Sequence, residues 1–441
     1  MDQSKSATGQ EPRGGDRVDQ SLAHVSLGEA VRRRLDCANF EPDSERGRIE
    51  DGGRHASREI LPAFAEPVHV GRPNIGNTEA FLRLAAAMLE RRWLTNNGPL
   101  LQELERRLAA FLGVKHCIAM CNGTIALEIA IRALGLSGEV IVPSYTFVAT
   151  AHALFWQGIT PVFADIDADT HNLDPAAVRR MITPRTTGII GVHLWGRAAP
   201  TAELRQIADE HGLKLIFDAA HAFGASHGNQ MIGSFGDAEV FSFHATKFFN
   251  TFEGGAVTTN NDDLAEAMRL IRNFGFSGFD NVIHPGTNGK MTEICAAMGL
   301  VNLDAIDEMI AANRRNYMAY KAAFAGVPGL TLLPYDEATH CNFQYVVLEI
   351  GPEASLDRDE IVVALHEQNV LARKYFWPGC HRLAPYRDLF PHAGLMLPNT
   401  EVIADRVIVL PTGTAVQPDV CAQIANFIVA ISKNRSNGEA A

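Results

Sequence analysis

From about Val68 onward, apolar side chains either recur with a helical period or gather in short runs. Residues 78–92 place them three and four positions apart, which predicts an amphipathic helix, and residues 100–112 repeat the pattern after an Asn-Asn-Gly-Pro break. Beyond this point short apolar runs alternate with helical stretches, which is typical of βαβ units and a mainly parallel sheet. The predicted strands are 117–121, 139–142, 160–165, 187–193, 214–218 and 240–243, with helices at 124–134 and 149–157 between them.

The pattern differs at both ends of the chain. Residues 1–66 are rich in Gly, Ser, Asp, Glu and Arg, and their apolar stretches are too short to offset the entropy of ordering them. Past residue 309 a long polar helix precedes a strand-like run, a loop rich in aromatics and Pro, and a last helix at 418–431. We therefore expect a flexible N-terminal extension (1–66), a large domain (67–310) and a smaller C-terminal domain (311–441).

Composition narrows the classes of function. The 441 residues carry a net charge of -12, which argues against a nucleic-acid partner because such proteins usually present a basic face. No apolar run approaches the roughly 20 residues that cross a bilayer, and no signal peptide is apparent, so we expect a cytoplasmic protein without a membrane partner. The seven scattered cysteines predict reduced thiols, and Cys117 and Cys121 lack a second ligand pair at zinc spacing, so no metal site is predicted.

Several polar residues follow predicted strands, where parallel sheets collect their ligands. Asn122-Gly123-Thr124 lies between a strand and a helix, and it would offer a close backbone, free N–H groups and a hydroxyl to a phosphate. The same tripeptide is also an ordinary turn and helix cap. Both interpretations stay open on these residues alone.

Asp218 ends an apolar strand and is followed by Ala-Ala-His. A carboxylate there can pair with a protonated heterocyclic nitrogen, although a strand-end Asp can equally cap the next turn. His221 can contact the ring oxygen of such a cofactor, or it can pack against the sheet.

Lys247 ends the run Phe-Ser-Phe-His-Ala-Thr-Lys at 241–247. Its apolar, glycine-flanked setting would lower the amine pKa and favour the neutral form that Schiff-base chemistry needs, whereas most strand-end lysines are simply solvated. Ser242 can reach a phosphate. Phe147, in Pro-Ser-Tyr-Thr-Phe at 143–147, can stack on a flat cofactor or pack in the core.

These elements occur in one order along the chain, and together they resemble a known family. The sequence is similar to the DegT/StrS-type nucleotide-sugar aminotransferases, which are pyridoxal-phosphate (PLP) enzymes of fold type I with the aspartate-aminotransferase architecture. The resemblance runs from about 68 to 433. Its motifs are Asn-Gly-Thr at 122–124, 143–150, Asp-Ala-Ala-His-Ala at 218–222, 241–247, Glu-Gly-Gly at 253–255, 288–294 and Pro-Gly-Cys-His at 378–381.

The resemblance implies an α/β fold with a large PLP-binding domain and a role for each motif residue. Lys247 would carry PLP as a Schiff base and then move a proton, and Asp218 would keep the pyridine nitrogen protonated. Phe147 would stack on the ring and His221 would lie beside it. Gly123, Thr124 and Ser242 would hold the phosphate.

The resemblance further implies a homodimer with shared active sites, because Asn288 matches an Asn that completes the phosphate site of the other subunit. The usual Asn-x-Arg-Met reads Asn288-Gly289-Lys290-Met291 here. Lys does not reproduce a bidentate Arg contact, so the role of Arg in the family does not carry over to Lys290.

The implied reaction is ping-pong transfer of an amino group from an amino acid, by family habit glutamate, to a nucleotide-linked keto sugar. The run at 218–221 favours C4 of a dTDP-4-keto-6-deoxyhexose over C3. Candidates for the nucleotide contact are Arg373, Lys374 and His381, in a stretch that is alternatively a surface loop.

Three alternatives stay open to different degrees. The same chemistry could act on a C3 keto sugar or a cyclitol, which the sequence does not separate. A PLP-dependent dehydratase usually has His in place of the lysine, so Lys247 disfavours it. A PLP-binding regulatory protein without turnover is disfavoured by the full set of catalytic residues and by the lack of a DNA-binding module.

Overall fold

The computed structural model describes residues 62–438, with side chains through Lys433. The predicted flexible extension lies outside the described residues up to position 61. The strands are β1 (Val68–His69), β2 (His116–Met120), β3 (Glu139–Pro143), β4 (Thr160–Ala164), β5 (Thr186–Val192), β6 (Lys214–Asp218), β7 (Ser226–His227), β8 (Gln230–Met231), β9 (Ala238–Ser242), β10 (Gly255–Thr259), β11 (Leu330–Leu332), β12 (Val346–Ile350), β13 (Val370–Leu371) and β14 (Val407–Leu410).

The helices begin and end at recognisable sequence signals. Asn77 caps the first helix by accepting a hydrogen bond from Ala80 N, Pro99 opens the second, and Gly113 ends it with φ of 68°. The α-helices are α1 (Thr78–Arg91), α2 (Pro99–Leu112), α3 (Gly123–Ala133), α4 (Ala149–Phe155), α5 (Pro175–Met181), α6 (Thr201–His211), α7 (Asp262–Arg272), α8 (Glu293–Asp304), α9 (Ile306–Phe324), α10 (Arg358–Glu367), α11 (Ala384–Leu389), α12 (Pro398–Ala404) and α13 (Pro418–Gly438).

Seven strands form the central sheet, in the order β2-β10-β9-β6-β5-β3-β4. All neighbours pair in parallel except β10, which runs antiparallel to both β2 and β9. The six predicted strands are confirmed within a residue or two at their ends. Strand β10 is a further strand that the apolar pattern did not predict.

Helices cover both faces of this sheet, so its strands alternate between two apolar cores. On β3, Val140 and Val142 pack with helices α3, α4 and α7, whereas Ile141 between them packs with α5 and α6. At the other end of the sheet, Phe241 joins a core that α2 and α8 complete. Burial on both faces explains why the strands read as continuous apolar runs.

A second, three-stranded antiparallel sheet has the order β11-β12-β14 and packs against α9, α10 and α13. The α/β architecture with a large, mainly parallel sheet and a smaller sheet-rich part is therefore confirmed. Helix α9 runs without a break through residues 310 and 311. The division into domains at that point stays a proposal.

Two polar clamps join segment 378–404 to the central sheet. Asp165, after β4, accepts hydrogen bonds from Asn399 N (3.0 Å) and from the backbone N–H and hydroxyl of Thr400. Ser144, after β3, lies 2.7 Å from His381 Nδ1.

Among the described residues, no helix is both long and apolar enough to cross a membrane.

Candidate active site

A cavity of about 340 Å³ opens at the carboxyl edge of the central sheet. This volume lies in the range of small-molecule sites, about 300–1,000 Å³. It is bordered by residues that follow β2, β3, β6 and β9, the edge at which the polar motifs were expected. Seven of the eight predicted site residues line it: Gly123, Thr124, Phe147, Asp218, His221, Ser242 and Lys247.

The amino end of α3 forms one end of this cavity. Asn122 has extended backbone angles, and its Oδ1 accepts a hydrogen bond from Ile125 N at 2.8 Å. The helix geometry leaves the N–H groups of Gly123 and Thr124 without an intrahelical acceptor, and the helix dipole makes this end attractive to an anion. The tripeptide is thus both a helix cap and a candidate phosphate cradle.

Two glycines keep this cradle narrow. A Cβ placed on Gly123 would lie 3.0 Å from Ser242 Cβ, so the helix end and β9 approach as closely as backbones allow. A Cβ placed on Gly255, at the start of β10, would lie 2.7 Å from Gly123 N. Such a distance requires something to move. The Glu-Gly-Gly motif at 253–255 therefore lets β10 pass behind the cradle.

Asp218 is buried at the end of β6, and its two carboxylate oxygens have separate partners. Thr150 Oγ1 donates to Oδ2 at 2.8 Å, and Ala220 N donates to Oδ1 at 3.1 Å. Burial raises the pKa of Asp218, while the Thr150 hydroxyl, the Ala220 amide and the charge of Lys247 act in the opposite direction. The carboxylate is fixed and poorly hydrated, as a partner for a buried cation should be.

Lys247 is partly buried, and its amine opens into the same cavity. Burial lowers the pKa of Lys247 to about 8, although the charge of Asp218 opposes this shift. The amine donates a hydrogen bond of 3.1 Å to Tyr345 Oη. Near neutral pH the Lys247 amine is therefore unprotonated, and nucleophilic, in a substantial fraction of the molecules.

His221 is buried beside Lys247 in a group of aromatic rings. Its ring is parallel to that of Phe376 (5.6 Å between centroids) and to that of Trp195 (6.1 Å). Burial, together with the charge of Lys247, lowers the pKa of His221 well below its usual value, so the ring is neutral. Its Nδ1 accepts from Trp195 N at 3.4 Å, which places the ring proton on Nε2.

Phe147 presents an apolar surface to the cavity. The ring is 56% exposed, and its centroid lies 6.5 Å from that of Phe376. An exposed Phe at a sheet edge is available to stack on a flat ligand, whereas the alternative role in core packing does not fit this exposure.

Asn288 is the predicted site residue that does not line the cavity. It is exposed, and its carbonyl lies near Cys121, one residue before the cradle. Two residues on, the Lys290 amine lies over the ring of Phe274, 4.5 Å from its centroid.

The three candidates for nucleotide contact also lie outside the cavity lining. His381 is buried, with Nδ1 at 2.7 Å from Ser144 Oγ and Nε2 bonded to Glu401, so both ring nitrogens are already engaged. Lys374 forms an ion pair with Asp359 at 3.3 Å. Arg373 lies over the ring of Tyr375. His381 is thus a structural link and offers no free donor to a nucleotide.

Sequence reasoning assigned no role to three contributors to the site, Thr150, Trp195 and Tyr345, although Thr150 ends the motif 143–150. Thr150 has a signal, since it lies one helical turn after Thr146, and the two hydroxyls are 3.1 Å apart. Trp195 lies in a 3-10 helix (Leu194–Gly196) after β5, and Tyr345 immediately precedes β12. Nothing in their local sequence distinguishes them from core aromatics.

Together these residues fit pyridoxal phosphate. The glycine-lined helix end suits its phosphate, Phe147 suits its ring face, Asp218 suits its protonated nitrogen, and the Lys247 amine suits its aldehyde carbon. The fold and the site define a fold type I PLP enzyme.

Comparison with known proteins gives the family. Residues 76–429 match the model of the DegT/DnrJ/EryC1/StrS aminotransferase family. The chain therefore belongs to this family, and it is a PLP-dependent aminotransferase, as the sequence motifs indicated.

Individual relatives cover most of the chain. It is 37% identical over 363 residues to the dTDP-4-amino-4,6-dideoxy-D-glucose transaminase of Shigella dysenteriae, covering 82% of this chain and 98% of the relative. It is 38% identical over 336 residues to GDP-perosamine synthase of Caulobacter vibrioides, covering 72% and 90%. The structure of DesI with its TDP-sugar product superposes with a TM-score of 0.81 at 48% identity, covering 86% of this chain and 96% of DesI.

Proposed function

We propose that this protein transfers an amino group from L-glutamate to C4 of a dTDP-4-keto-6-deoxyhexose by a ping-pong reaction. The observation that carries the proposal is one cavity that holds a lysine amine with a pKa of about 8, a buried carboxylate and a glycine-lined helix end. The similarity to a dTDP-sugar transaminase and to DesI supports the substrate, and the likeness to a GDP-sugar enzyme keeps the nucleotide open.

We assign the chemistry to Lys247 and Asp218. Bound PLP supplies an electron sink that stabilises negative charge on the carbon bearing the amino group. Lys247 would hold the cofactor covalently through its amine and, once released by the incoming amino acid, would move the proton from that carbon to the cofactor carbon. Asp218, held by Thr150 and Ala220, would keep the pyridine nitrogen protonated.

The other cavity residues would position the cofactor. The N–H groups of Gly123 and Thr124 and the hydroxyl of Ser242 would bind the phosphate, and Phe147 would cover one face of the ring. His221, neutral and protonated on Nε2, can donate to the ring oxygen.

We further propose a homodimer in which Asn288 contacts the phosphate in the site of the second copy. Asn288 is exposed at the end of a segment that also exposes large apolar side chains, among them Phe279 (97% exposed), Val282 and Ile283. Exposed apolar groups clustered in one segment mark an association surface, and a second copy would cover them.

The direct test is an assay of the purified enzyme with glutamate and dTDP-4-keto-6-deoxyglucose, in which 2-oxoglutarate and the amino sugar are measured. The expected result is stoichiometric formation of both products, with the amine at C4. Turnover only on a 3-keto sugar or on a cyclitol ketone would favour those alternatives. Reversible binding of PLP with no turnover on any ketone would favour a regulatory protein.

A further inference from the structure

The active cavity contains no arginine among its described lining residues. Its cationic candidates are Lys247, which the cofactor would occupy, His221, which is neutral, and His244, which lies 3.5 Å from Glu253. An amino-acid donor brings an α-carboxylate to this place, and a desolvated carboxylate needs a charged, hydrogen-bonded partner. Within one chain, that partner has to come from an element next to the cavity.

A small recess adjoins the cavity and shares Thr246, Tyr345 and Tyr375 with it. Its volume is about 30 Å³, which suits one polar group and not a whole substrate. Arg72 lines the recess. The preceding Gly71 packs against the residue before Lys247, since a Cβ placed on Gly71 would lie 3.0 Å from Thr246 O. Arg72 therefore lies close to the segment that contains Lys247.

Two observations indicate that Arg72 is available to bind a ligand. It is exposed and forms no ion pair within the part of the chain that the structure describes, in a protein with a net charge of -12. The recess also contains Asn313, a buried side chain whose Oδ1 has no hydrogen-bond partner in the described region. A guanidinium has five donors in a rigid fork, so one can satisfy Asn313 while two others face a carboxylate.

We propose that Arg72 binds the α-carboxylate of the amino donor in the first half-reaction, oriented by Asn313. This inference rests on the proposed function, and it names the residue by which that site recognises one of its two substrates. Arg72 contacts the substrate's carboxylate only, so its loss weakens binding without removing the lysine chemistry.

The test uses the holoenzyme and two unreactive probes, glutarate for the carboxylate and dTDP for the nucleotide, each titrated by calorimetry. Arg72→Gln should lower the affinity for glutarate at least about tenfold, because a charged hydrogen-bonded pair is lost. The affinity for dTDP should stay within about twofold of the wild-type value. Arg72→Lys, which keeps the charge but not the fork, should lie between. Arg315→Gln is the matched control, since Arg315 is exposed and lines neither cavity.

Unchanged glutarate binding in folded Arg72→Gln would overturn the proposal. So would weaker dTDP binding with glutarate unaffected, which would assign Arg72 to the nucleotide. In parallel, absorbance measures how glutamate converts the holoenzyme to its amine form, in the wild type and in Arg72→Gln. If wild type converts while Arg72→Gln needs no more glutamate, only this inference fails. If wild type does not convert with any amino acid, the proposed function fails.

Discussion

The amine of Lys247 donates a hydrogen bond of 3.1 Å to the phenol oxygen of Tyr345, which lies 98 positions later in the chain. Tyr345 is buried and immediately precedes β12 of the smaller sheet, whereas Lys247 follows β9 of the central sheet. Burial raises the pKa of Tyr345 well above its usual value, so the phenol stays neutral. The reactive lysine is therefore oriented by a residue from the segment that leads into the smaller sheet.

Tyr345→Phe removes this contact and keeps the ring. We expect kcat to fall about tenfold, since one hydrogen bond that orients a proton-transferring group is lost, while KM stays unchanged. Tyr317→Phe is the control, because it deletes a buried phenol bonded to Leu333 O in the same part of the fold. Equal kcat in both variants would show that Tyr345 only packs.

The lowered pKa of Lys247 predicts how cofactor binding depends on pH. The neutral amine is the nucleophile, so the rate at which apoenzyme binds PLP covalently should rise with pH and level off above about 8. An ordinary lysine would go on rising to about 10.4. Stopped-flow absorbance between pH 6 and 10 measures the profile. Lys247→Ala should lose the covalent phase, and Lys214→Ala, an exposed lysine at the start of β6, should keep it.

Thr150→Val tests the support of Asp218. The change is nearly isosteric and leaves the buried Oδ2 without its hydroxyl donor, so the pKa of Asp218 should rise further. We expect the dissociation constant of PLP to increase about tenfold. Thr146→Val is the control, since it removes a hydroxyl that contacts Thr150 but makes no hydrogen bond to Asp218. PLP affinity that stays at the wild-type level in Thr150→Val would count against this role.

Gly123→Ala separates cofactor binding from stability. The added Cβ would lie 3.0 Å from Ser242 Cβ and close the cradle, yet alanine favours a helix. The apoenzyme should therefore keep its Tm within a few degrees, while PLP affinity falls about tenfold or more. Calorimetry of the apoenzyme and a PLP titration provide the two measurements. A large loss of Tm with normal affinity would mean that the glycine serves packing alone.

Mixed dimers test the shared site. Neither Lys247→Ala nor Asn288→Ala homodimers should retain PLP normally. When the two are unfolded and refolded together, each heterodimer should regain one site, with Lys247 from one chain and Asn288 from the other. Equal mixing makes half the dimers heterodimers, so about a quarter of wild-type sites should recover. If no activity returns, Asn288 acts within its own chain or has no role.

The sequence predicts the elements whose chemistry is local. The strand 214–218 is confirmed to the residue, because its apolar run 215–217 follows the end of α6 at His211 and stops at Asp218. Strand β10 was missed because its leading Gly255 and its two terminal threonines leave only two apolar residues, and its place in the sheet depends on pairing with both β2 and β9.

The site shows the same division. Lys247, Asp218 and Gly123 are found from motifs, since each lies beside the strand or helix end that gives it its role. Tyr345 reaches the cavity, and Arg72 the recess beside it, through the packing of distant segments, which no local pattern encodes. The sequence leaves His381 open between a nucleotide contact and a surface loop, because its two partners, Ser144 and Glu401, are far away in the sequence.

The antiparallel strand β10 also has a consequence for how the chain folds. It separates β2, which leads to the cradle, from β9, which leads to the lysine, so the two halves of the site meet only after β10 has inserted between them. A nascent chain that stops before residue 255 would lack this strand. PLP that bound on both sides of β10 would stabilise the sheet with this strand in place, by mass action.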